Sequence, residues 1–321
     1  MVRRLDRFSH PPANRRPKGP LASVSSVDMQ GCASRALLIT GATGTLGQAF
    51  ARICEKRGVA YHLLSRAEMN ITDPDSVSAA FDRYSPWAVV NTAGFARVDD
   101  AEREVEQCMR DNVVGPANLA RACVVRKIPF VTFSSDLVFD GGKGKPYLES
   151  DVLSPVNIYG QSKAEAEREV LEAHPDALVI RSSAFFGPWD EANFATSVLS
   201  AVVRGRTFRA ADDLTVSPTY VPDLVNTILD IIIDGERGIW HLANAGAMTW
   251  AQLARRVAEG AGYDPGSIVS CTNASLGLAA SRPHFSALSS ERASLMRPFE
   301  EALRAYFEER QFSRRSLAAT V

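Results

Sequence analysis

The stretch Arg35-Ala-Leu-Leu-Ile-Thr-Gly-Ala-Thr-Gly-Thr-Leu-Gly47 decides the fold. Residues 35–40 form a short apolar run, which is typical of a buried parallel strand. Residues 41–47 then form a glycine-rich turn, and residues 48–57 continue as a helix that ends near Gly58. Glycine lets the backbone approach a pyrophosphate closely, and the amides at a helix N-terminus bind its charge. The stretch therefore predicts a dinucleotide-binding turn rather than a merely tight one.

Strand-like and helical segments go on alternating as far as residue 183. Apolar strands are predicted at residues 59–64, 87–91, 128–134 and 177–181. A helix opens at Asp73, and others cover residues 105–126 and 162–172, with a bend expected at Gly115-Pro116. This alternation predicts an α/β protein with a Rossmann-type, doubly wound parallel sheet.

The rhythm changes after about residue 184. Helices are predicted at residues 193–204, 223–234, 250–260 and 299–310, with strand-like segments at 207–216 and 238–242. We expect segment 217–243 to return to the main sheet. The predicted division is a nucleotide-binding Rossmann domain at 35–183 plus 217–243, and a smaller C-terminal substrate-binding lobe at 184–216 plus 244–312, followed by a tail at 313–321.

Residues 1–34 differ in composition from the rest, because arginines and prolines interleave there without an apolar run of signal-peptide type. A disordered leader or linker is the favoured interpretation, and a basic arm for an acidic partner is the alternative.

The bulk composition excludes several classes of protein. The 321 residues are 45% hydrophobic and carry a formal net charge of −1, so nothing overall recruits nucleic acid or an anionic membrane. The longest apolar runs, such as residues 227–233, are too short to span a bilayer. Five scattered cysteines without a Cys-x-x-Cys pair predict reduced thiols in a cytoplasmic protein. No histidine pattern predicts a metal site, and acidic residues at a subunit interface would leave no motif for Mg²⁺.

Tyr159 and Lys163 are the first candidates for catalysis. Residues four apart on a helix share a face, and a nearby ammonium favours the phenolate form of a tyrosine. We therefore expect Lys163 to lower the pKa of Tyr159 towards the working range. Ser135 follows another predicted strand, at the same sheet edge, where a serine can hydrogen-bond a substrate carbonyl. The three together indicate hydride transfer to or from a carbonyl carbon.

The end of the second predicted strand bears on the choice of cofactor. An acidic residue there would bind the adenine ribose and repel a 2′-phosphate, whereas this chain has Ser65-Arg66. A hydroxyl and a guanidinium suit a 2′-phosphate, so NADPH is favoured and NADH is the alternative. Asn70-Ile71 are expected beside the adenine, and Gly94 would let the backbone pass the cofactor.

The chain resembles the extended short-chain dehydrogenases/reductases and, among them, the dTDP-4-dehydrorhamnose reductase family. The resemblance runs from about Leu37 to about Phe307. It rests on the glycine-rich turn and on the following stretches: Val98-Asp-Asp-Ala-Glu102, Ser134-Ser-Asp-Leu-Val-Phe-Asp-Gly141, Ser154-Pro-Val-Asn-Ile-Tyr-Gly-Gln-Ser-Lys163, Ser217-Pro-Thr-Tyr220 and Arg282-Pro-His-Phe-Ser-Ala-Leu288.

The resemblance implies a catalytic Ser/Thr-Tyr-Lys triad, which falls on Ser135, Tyr159 and Lys163. It also implies an asparagine, Asn112, that helps to order the active site. The residues expected at the cofactor are Gly41, Thr43, Gly44, Thr45, Leu46, Gly47, Ser65, Arg66, Asn70, Ile71, Ala93, Gly94, Phe95, Ala96, Asn112, Tyr159 and Lys163. The residues expected at the substrate are Ser135, Asp136, Asn193, Phe194 and Arg282.

Three positions depart from the family pattern. Leu137 stands where a tyrosine is usual, Ala184 where a tryptophan commonly packs on the sugar, and Ala96 where a threonine is common. Trp189 lies near enough in sequence to be a candidate replacement for that tryptophan. These departures leave open a sugar other than dTDP-4-dehydrorhamnose.

The resemblance implies NADPH-dependent reduction of the 4-keto group of a nucleotide-linked deoxysugar, with a homodimer as one expected oligomer. Two alternatives stay open. One is an epimerase or dehydratase of the same superfamily that keeps a bound NAD. The other is a non-catalytic binding subunit like the regulatory subunit of methionine adenosyltransferase, which the retained Ser135, Tyr159 and Lys163 argue against.

Overall fold

The computed structural model describes residues 35–191 and 193–318, with side chains as far as residue 310. From Arg35 onward the chain forms one compact unit. The predicted leader, residues 1–34, and the last three residues of the predicted tail lie outside the described residues.

A six-stranded parallel sheet forms the centre of this unit, in the order β10-β5-β4-β3-β1-β2. Its strands are β1 Leu37–Thr40, β2 Tyr61–Leu64, β3 Ala88–Asn91, β4 Phe130–Phe133, β5 Leu178–Arg181 and β10 Gly238–His241. The winding reverses at β1, because β2 and β3 lie on opposite sides of it. In such sheets, ligands bind outside the carboxyl ends of the strands at the point of reversal. The predicted α/β class and the doubly wound parallel sheet are confirmed.

Helices cover both faces of the sheet, which explains why its strands are apolar throughout. On one face, α1 Thr45–Arg57 and α8 Val221–Ile233 pack against β1 and β5. On the other face lie α2 Pro74–Tyr84, α5 Gly115–Arg126 and α6 Ile158–Ala173. Leu37, Leu38 and Ile39 of β1 are fully buried between these layers.

A further apolar cluster forms away from the sheet, from α7 Phe194–Val203, α9 Trp250–Gly260 and α10 Phe299–Ala318. Short strand pairs accompany it: β6 Phe185–Phe186 with β9 Thr219–Tyr220, β7 Phe208–Ala211 with β12 Ile268–Cys271, and β8 Thr215–Val216 with β11 Met248–Thr249. Segment 217–243 supplies α8 and the edge strand β10, as expected for its return to the sheet. The division into two lobes stays a prediction.

Two helix ends differ from the predicted ones by four residues or more. Helix α6 begins at Ile158 rather than at Ser162, because Asn157 caps it by accepting a hydrogen bond from the amide of Gly160. Tyr159 and Lys163 therefore both lie on its first turns. Helix α10 continues beyond the predicted end at residue 310, into the predicted tail.

The predicted helix at 105–126 is interrupted just before Gly115-Pro116 rather than bent at that pair. It starts after α3 Val98–Ala101 as α4 Val105–Met109, widens into a π-helical turn at Arg110–Val114 and continues as α5. Such turns are often found at functional sites. This one turns the polar side chains of Asp111 and Asn112 into the protein, where both are buried.

A buried ion pair joins α6 to the end of β5. Arg181 and Glu167 form two hydrogen bonds, Nε to Oε1 at 2.8 Å and a terminal nitrogen to Oε2 at 2.6 Å. Their side chains are only 2% and 4% exposed. Removing one partner of such a pair leaves an uncompensated charge in a poorly solvated place.

We therefore expect Glu167→Met to lower the free energy of unfolding by about 3–5 kcal/mol, as is usual for a broken buried pair. Glu172→Met is the matched control on the same helix, because Glu172 is exposed and pairs with Arg168. That control should change stability by less than about 1 kcal/mol. Urea unfolding followed by circular dichroism measures both, and equal effects would contradict the importance of burial.

Candidate active site

The glycine-rich turn joins β1 to α1 at the point where the sheet winding reverses. Gly41 has φ +82°, and a Cβ there would lie 2.9 Å from the amide nitrogen of Ala93. A Cβ on Gly47 would lie 2.3 Å from the carbonyl oxygen of Gly41. The fold itself therefore requires glycine at these two positions.

Gly44 is different, because the fold does not require a glycine there. Its φ is −84°, and the nearest atom to a Cβ at this position would be 3.4 Å away. Gly44 precedes the first turn of α1, where no side chain caps the helix. The amides of that turn can bind an anion, and an absent side chain leaves room for it to approach. The turn thus fits a dinucleotide pyrophosphate.

A cavity of about 140 Å³ lies over this turn, lined by Thr43, Gly44 and Thr45 together with Trp189 and Asp190. The Thr45 hydroxyl donates to the Asp190 carboxylate at 2.6 Å. Trp189 packs beneath the cations of Arg52 and Lys56 on α1. Trp189 therefore packs at the glycine-rich turn. It does not line the cavity that contains Ser135 and Tyr159, so the idea that it replaces the sugar-packing tryptophan is wrong.

The residues predicted at the adenosine end gather after β2, and each already has contacts within the protein. The amide and hydroxyl of Ser65 donate to Glu68 Oε2 at 2.8 and 2.7 Å. Arg66 pairs with Asp111 at 2.6 Å. Asn70 accepts hydrogen bonds from Thr72.

Ile71, the last predicted residue at this end, is buried and packs against Gly115, where a Cβ would lie 2.6 Å from the Ile71 Cδ1. The contact of these residues with a cofactor stays a prediction.

Asn112 orders the segment that follows β3. Its Oδ1 accepts from the amide of Phe95 at 2.7 Å, and its Nδ2 donates to the Phe95 carbonyl and to the Ser162 hydroxyl. The segment is Ala93, Gly94, Phe95 and Ala96. A Cβ on Gly94 would lie 2.7 Å from Asn112 Oδ1 and 3.8 Å from Lys163 Nζ. The turn at Gly94 therefore lies directly beside Lys163.

Ser135, Tyr159 and Lys163 come together at the carboxyl end of β4. The side chains of Ser135 and Tyr159 line the same cavity, and Ser135 lies near enough to lower the pKa of the phenol. Lys163 donates to the carbonyl oxygen of Phe133 at 3.1 Å, and its Nζ lies 5.6 Å from the centre of the Tyr159 ring. The structure thus assembles the three predicted catalytic residues.

The pKa of Tyr159 is shifted in the direction opposite to the one expected. Burial raises the pKa of its phenol, and the nearby Asp136 and Cys108 raise it further. Burial also lowers the pKa of Lys163 to about 8, which weakens the ammonium's influence. The expectation that Lys163 lowers the tyrosine pKa is therefore wrong for this form of the protein. The phenol therefore carries a proton at neutral pH, and its raised pKa makes it a weaker acid than a free tyrosine.

Asp136 is a buried carboxyl held by three serine hydroxyls. Ser135 donates to its Oδ1 at 3.0 Å, while Ser183 and Ser286 donate to its Oδ2 at 2.8 and 2.5 Å. Burial raises the pKa of this carboxyl, against the effect of these hydrogen bonds. Ser286 belongs to the conspicuous Arg282–Leu288 stretch, which the structure therefore connects to the active site.

The main cavity, of about 460 Å³, opens in front of these groups. Ser135, Asp136 and Tyr159 form its polar end. Its apolar wall consists of Val98, Leu137, Ala184, Phe185, Phe194, Leu214, Val216 and Trp250. Ala184 has φ +30°, a strained value for a residue with a side chain. A carbonyl compound seated here would meet proton donors at one end and mostly apolar side chains around the rest.

The five predicted substrate residues have different positions. Ser135, Asp136, Phe194 and Arg282 line the cavity, and Arg282 forms a two-pronged pair with Asp99. Asn193 does not line it. Its amide caps α7 and donates to the carbonyls of Gly187 and Asp190, so these contacts give Asn193 a positioning role.

Sequence reasoning missed Trp250, Arg209 and Asn273, which also line the cavity. Trp250 packs on Phe194 with ring centres 4.6 Å apart. Arg209 donates to Ser275, and Asn273 has a buried Oδ1 without a hydrogen-bond partner among the described residues. Only Trp250 had a local signal, as an aromatic residue just after the helix cap Thr249.

A Rossmann-type sheet with a Ser-Tyr-Lys set beside a glycine-rich turn defines an extended short-chain dehydrogenase/reductase. The sequence model of the family described as "RmlD substrate binding domain" matches residues 35–312. The chain belongs to that family.

Curated relatives and solved structures agree with this assignment. A dTDP-4-dehydrorhamnose reductase of Mycolicibacterium smegmatis is 34% identical over 83% of each chain. A dTDP-4-keto-6-deoxy-D-glucose reductase of Streptomyces niveus is 34% identical over 72% of this chain and 80% of its own. The structure of a Bacillus anthracis dTDP-4-dehydrorhamnose reductase in complex with NADP is 27% identical, with a TM-score of 0.81 over 86% of this chain and 99% of its own.

Two features are absent from the described residues, a membrane-spanning helix and a metal-binding group of side chains. No helix among them is long and apolar enough to cross a membrane. Within the same residues, no group of three or more His, Cys, Asp or Glu side chains is arranged to hold a metal ion.

The two kinds of glycine in the turn predict opposite results. Gly47→Ala should lower the stability of the cofactor-free protein by about 1–3 kcal/mol, since its Cβ would overlap the Gly41 carbonyl. Gly44→Ala should leave that stability unchanged and weaken NADP⁺ binding by about tenfold or more. Thermal unfolding and calorimetric titration measure the two effects. Normal NADP⁺ affinity in Gly44→Ala would argue against a pyrophosphate at this turn.

Proposed function

We propose that this protein is an oxidoreductase that uses NADPH to reduce the 4-keto group of a nucleotide-linked deoxysugar. The leading substrate is dTDP-4-dehydrorhamnose, which would place the enzyme in dTDP-L-rhamnose biosynthesis. The observation that carries the proposal is the convergence of Ser135, Tyr159 and Lys163 at the polar end of the main cavity, beside the Gly94 turn. The names of the relatives support the same activity.

Each group of the site has a distinct task in this proposal. NADPH, when bound, supplies the hydride to the keto carbon. The residues of the glycine-rich turn hold the pyrophosphate, and Lys163, next to Gly94, orients the nicotinamide ribose. Tyr159 gives its proton to the keto oxygen as charge develops there, and Ser135 stabilises that oxygen by a hydrogen bond.

Tyr159 carries the proton that a reduction needs. Reduction of a ketone needs a proton donor, and burial together with Asp136 keeps the phenol protonated. A dehydrogenation would need the phenolate as the base. We therefore assign Tyr159 as the general acid of the reduction.

The apolar wall bears on the identity of the sugar. Leu137 and Ala184 line the cavity where the family has larger aromatic side chains, and Trp250 contributes an aromatic face. A deoxysugar presents a methyl group, which suits such a wall better than a hydroxymethyl group does. We therefore expect 6-deoxy-4-ketosugars to be preferred over fully hydroxylated ones.

Two further properties belong to the proposal. We propose a cytoplasmic location, supported by reduced thiols at Cys54, Cys108, Cys123 and Cys271. We also propose a homodimer, to be measured by light scattering on the purified protein.

The direct test is a panel of nucleotide-linked sugars incubated with the protein and NADPH, followed at 340 nm. The expected result is oxidation of NADPH with dTDP-4-dehydrorhamnose or a closely related 6-deoxy-4-ketosugar. No oxidation with any 4-ketosugar, in a protein that binds NADPH, would contradict the proposal.

Tyr159→Phe removes the proposed acid and keeps the ring. We expect kcat to fall by at least about 100-fold, the low end of general-acid contributions, with the Kd for NADP⁺ unchanged. Tyr263→Phe is the control, because Tyr263 is exposed and outside the cavity. Near-normal turnover of Tyr159→Phe would remove this residue from the mechanism.

A further inference from the structure

Two carboxylates hold the groups that were expected to bind a 2′-phosphate. Asp111 Oδ2 forms an ion pair with Arg66 at 2.6 Å, and Glu68 Oε2 accepts from both the amide and the hydroxyl of Ser65. All four residues lie at the carboxyl end of β2, which reads the adenine ribose in a Rossmann-type fold. The hydrogen bonds from Ser65 keep the pKa of Glu68 below its usual value, so Glu68 is charged at neutral pH.

The fold, rather than the contact with Arg66, determines the position of Asp111. Its side chain is 6% exposed, whereas that of Arg66 is 60% exposed. It lies on the π-helical turn that leads into Gly115, against which Ile71 packs. Its Oδ1 receives no hydrogen bond from the described residues, and the nearest cation to it is Arg110 Nε at 3.5 Å. An exposed arginine is therefore paired with a buried carboxylate.

The charges decide what this arrangement does to a cofactor. Arg66 alone would attract the dianionic 2′-phosphate of NADPH, as guanidinium groups do. Asp111 neutralises the charge of Arg66, Arg110 adds a positive charge 3.5 Å from Asp111 Oδ1, and Glu68 adds a negative charge beside Ser65. A 2′-phosphate would thus have to compete with Asp111 for Arg66 and with Glu68 for Ser65. A ribose 2′-hydroxyl has no charge, so it avoids this competition.

Asp111 also has an effect that favours the phosphate. An arginine that is already held by an ion pair, as Arg66 is by Asp111, loses less conformational freedom when it binds a phosphate. The ion pair uses one terminal nitrogen of Arg66, and a guanidinium has five N–H donors. Two unit charges about 6 Å apart, at an effective dielectric constant of about 20, repel by more free energy than the whole rotamer freedom of an arginine is worth. The net effect of Asp111 is therefore to weaken binding of the 2′-phosphate.

We propose that Asp111 and Glu68 are specificity-determining residues that reduce the preference of this site for NADPH over NADH. The proposal deepens the proposed function and rests on its assignment of a nicotinamide dinucleotide to the glycine-rich turn. It assigns the cofactor preference to a pair of carboxylates outside the glycine motif, one of them 45 positions beyond Arg66 in the chain.

The test is calorimetric titration of the full-length protein with NADP⁺ and with NAD⁺, without sugar. For Asp111→Asn, the Kd for NADP⁺ should fall about tenfold, with the Kd for NAD⁺ within about twofold of the unsubstituted protein. For Glu68→Gln, whose site is exposed, the same selective gain should be about threefold. Glu106→Gln is the control, because Glu106 is an exposed acid of α4 outside this group, and it should leave the ratio of the two Kd values unchanged.

The outcomes separate the alternatives. If Asp111→Asn weakens NADP⁺ binding selectively, Asp111 serves to position Arg66 and the proposal is overturned. Equal changes for both cofactors, or the same change in Glu106→Gln, would overturn it as well. If Asp111→Asn does not fold, Glu68→Gln decides by the same criterion. Because no sugar is present, a failure of the proposed ketone reduction would leave this result intact, and the two failures are distinguishable.

Discussion

The active site depends on the hydrogen bonds of the buried Asp136 carboxyl. Its hydrogen bonds connect Ser135 after β4, Ser183 after β5 and Ser286 in the segment that follows Arg282. The sheet edge and a segment 150 residues further along the chain thereby meet at one point. A buried carboxyl needs hydrogen-bond donors in place of water. The three serine hydroxyls supply these hydrogen bonds, which hold the three side chains in position. Ser135 is thus already oriented before any substrate arrives.

The same burial decides the state of the proton. Because the buried Asp136 lies next to the half-buried Tyr159, the phenol holds its proton more firmly than a free tyrosine. Lys163 is itself desolvated and bound to the Phe133 carbonyl, so it does not reverse this effect. The cavity therefore presents a protonated acid to the substrate oxygen, and the Ser135 hydroxyl beside it turns from Asp136 to donate its proton there. Around them, Leu137, Ala184, Phe194 and Trp250 keep the surroundings apolar.

Local patterns in the sequence predicted much of this arrangement. The apolar run before Gly41 and the spacing of Tyr159 and Lys163 are consequences of backbone geometry, which a strand or a helix imposes wherever it occurs. Contacts between distant segments have no such local signature. Trp250 at the cavity wall, Asn193 as a helix cap and Asp111 under Arg66 each depend on how separate elements pack. The direction of the Tyr159 pKa shift was missed for the same reason, since spacing predicts the proximity of a lysine but not the loss of water around the phenol.

The central claim is that a hydride reaches the keto carbon of a nucleotide-linked sugar in the cavity at Tyr159. The most direct measurement is the position of deuterium in the product when both hydrogens on the nicotinamide C4 of NADPH are replaced by deuterium. The account predicts one deuterium at C4 of the sugar for each NADPH consumed, found by mass spectrometry and proton NMR. Product without deuterium, or turnover of the sugar without net consumption of NADPH, would contradict it.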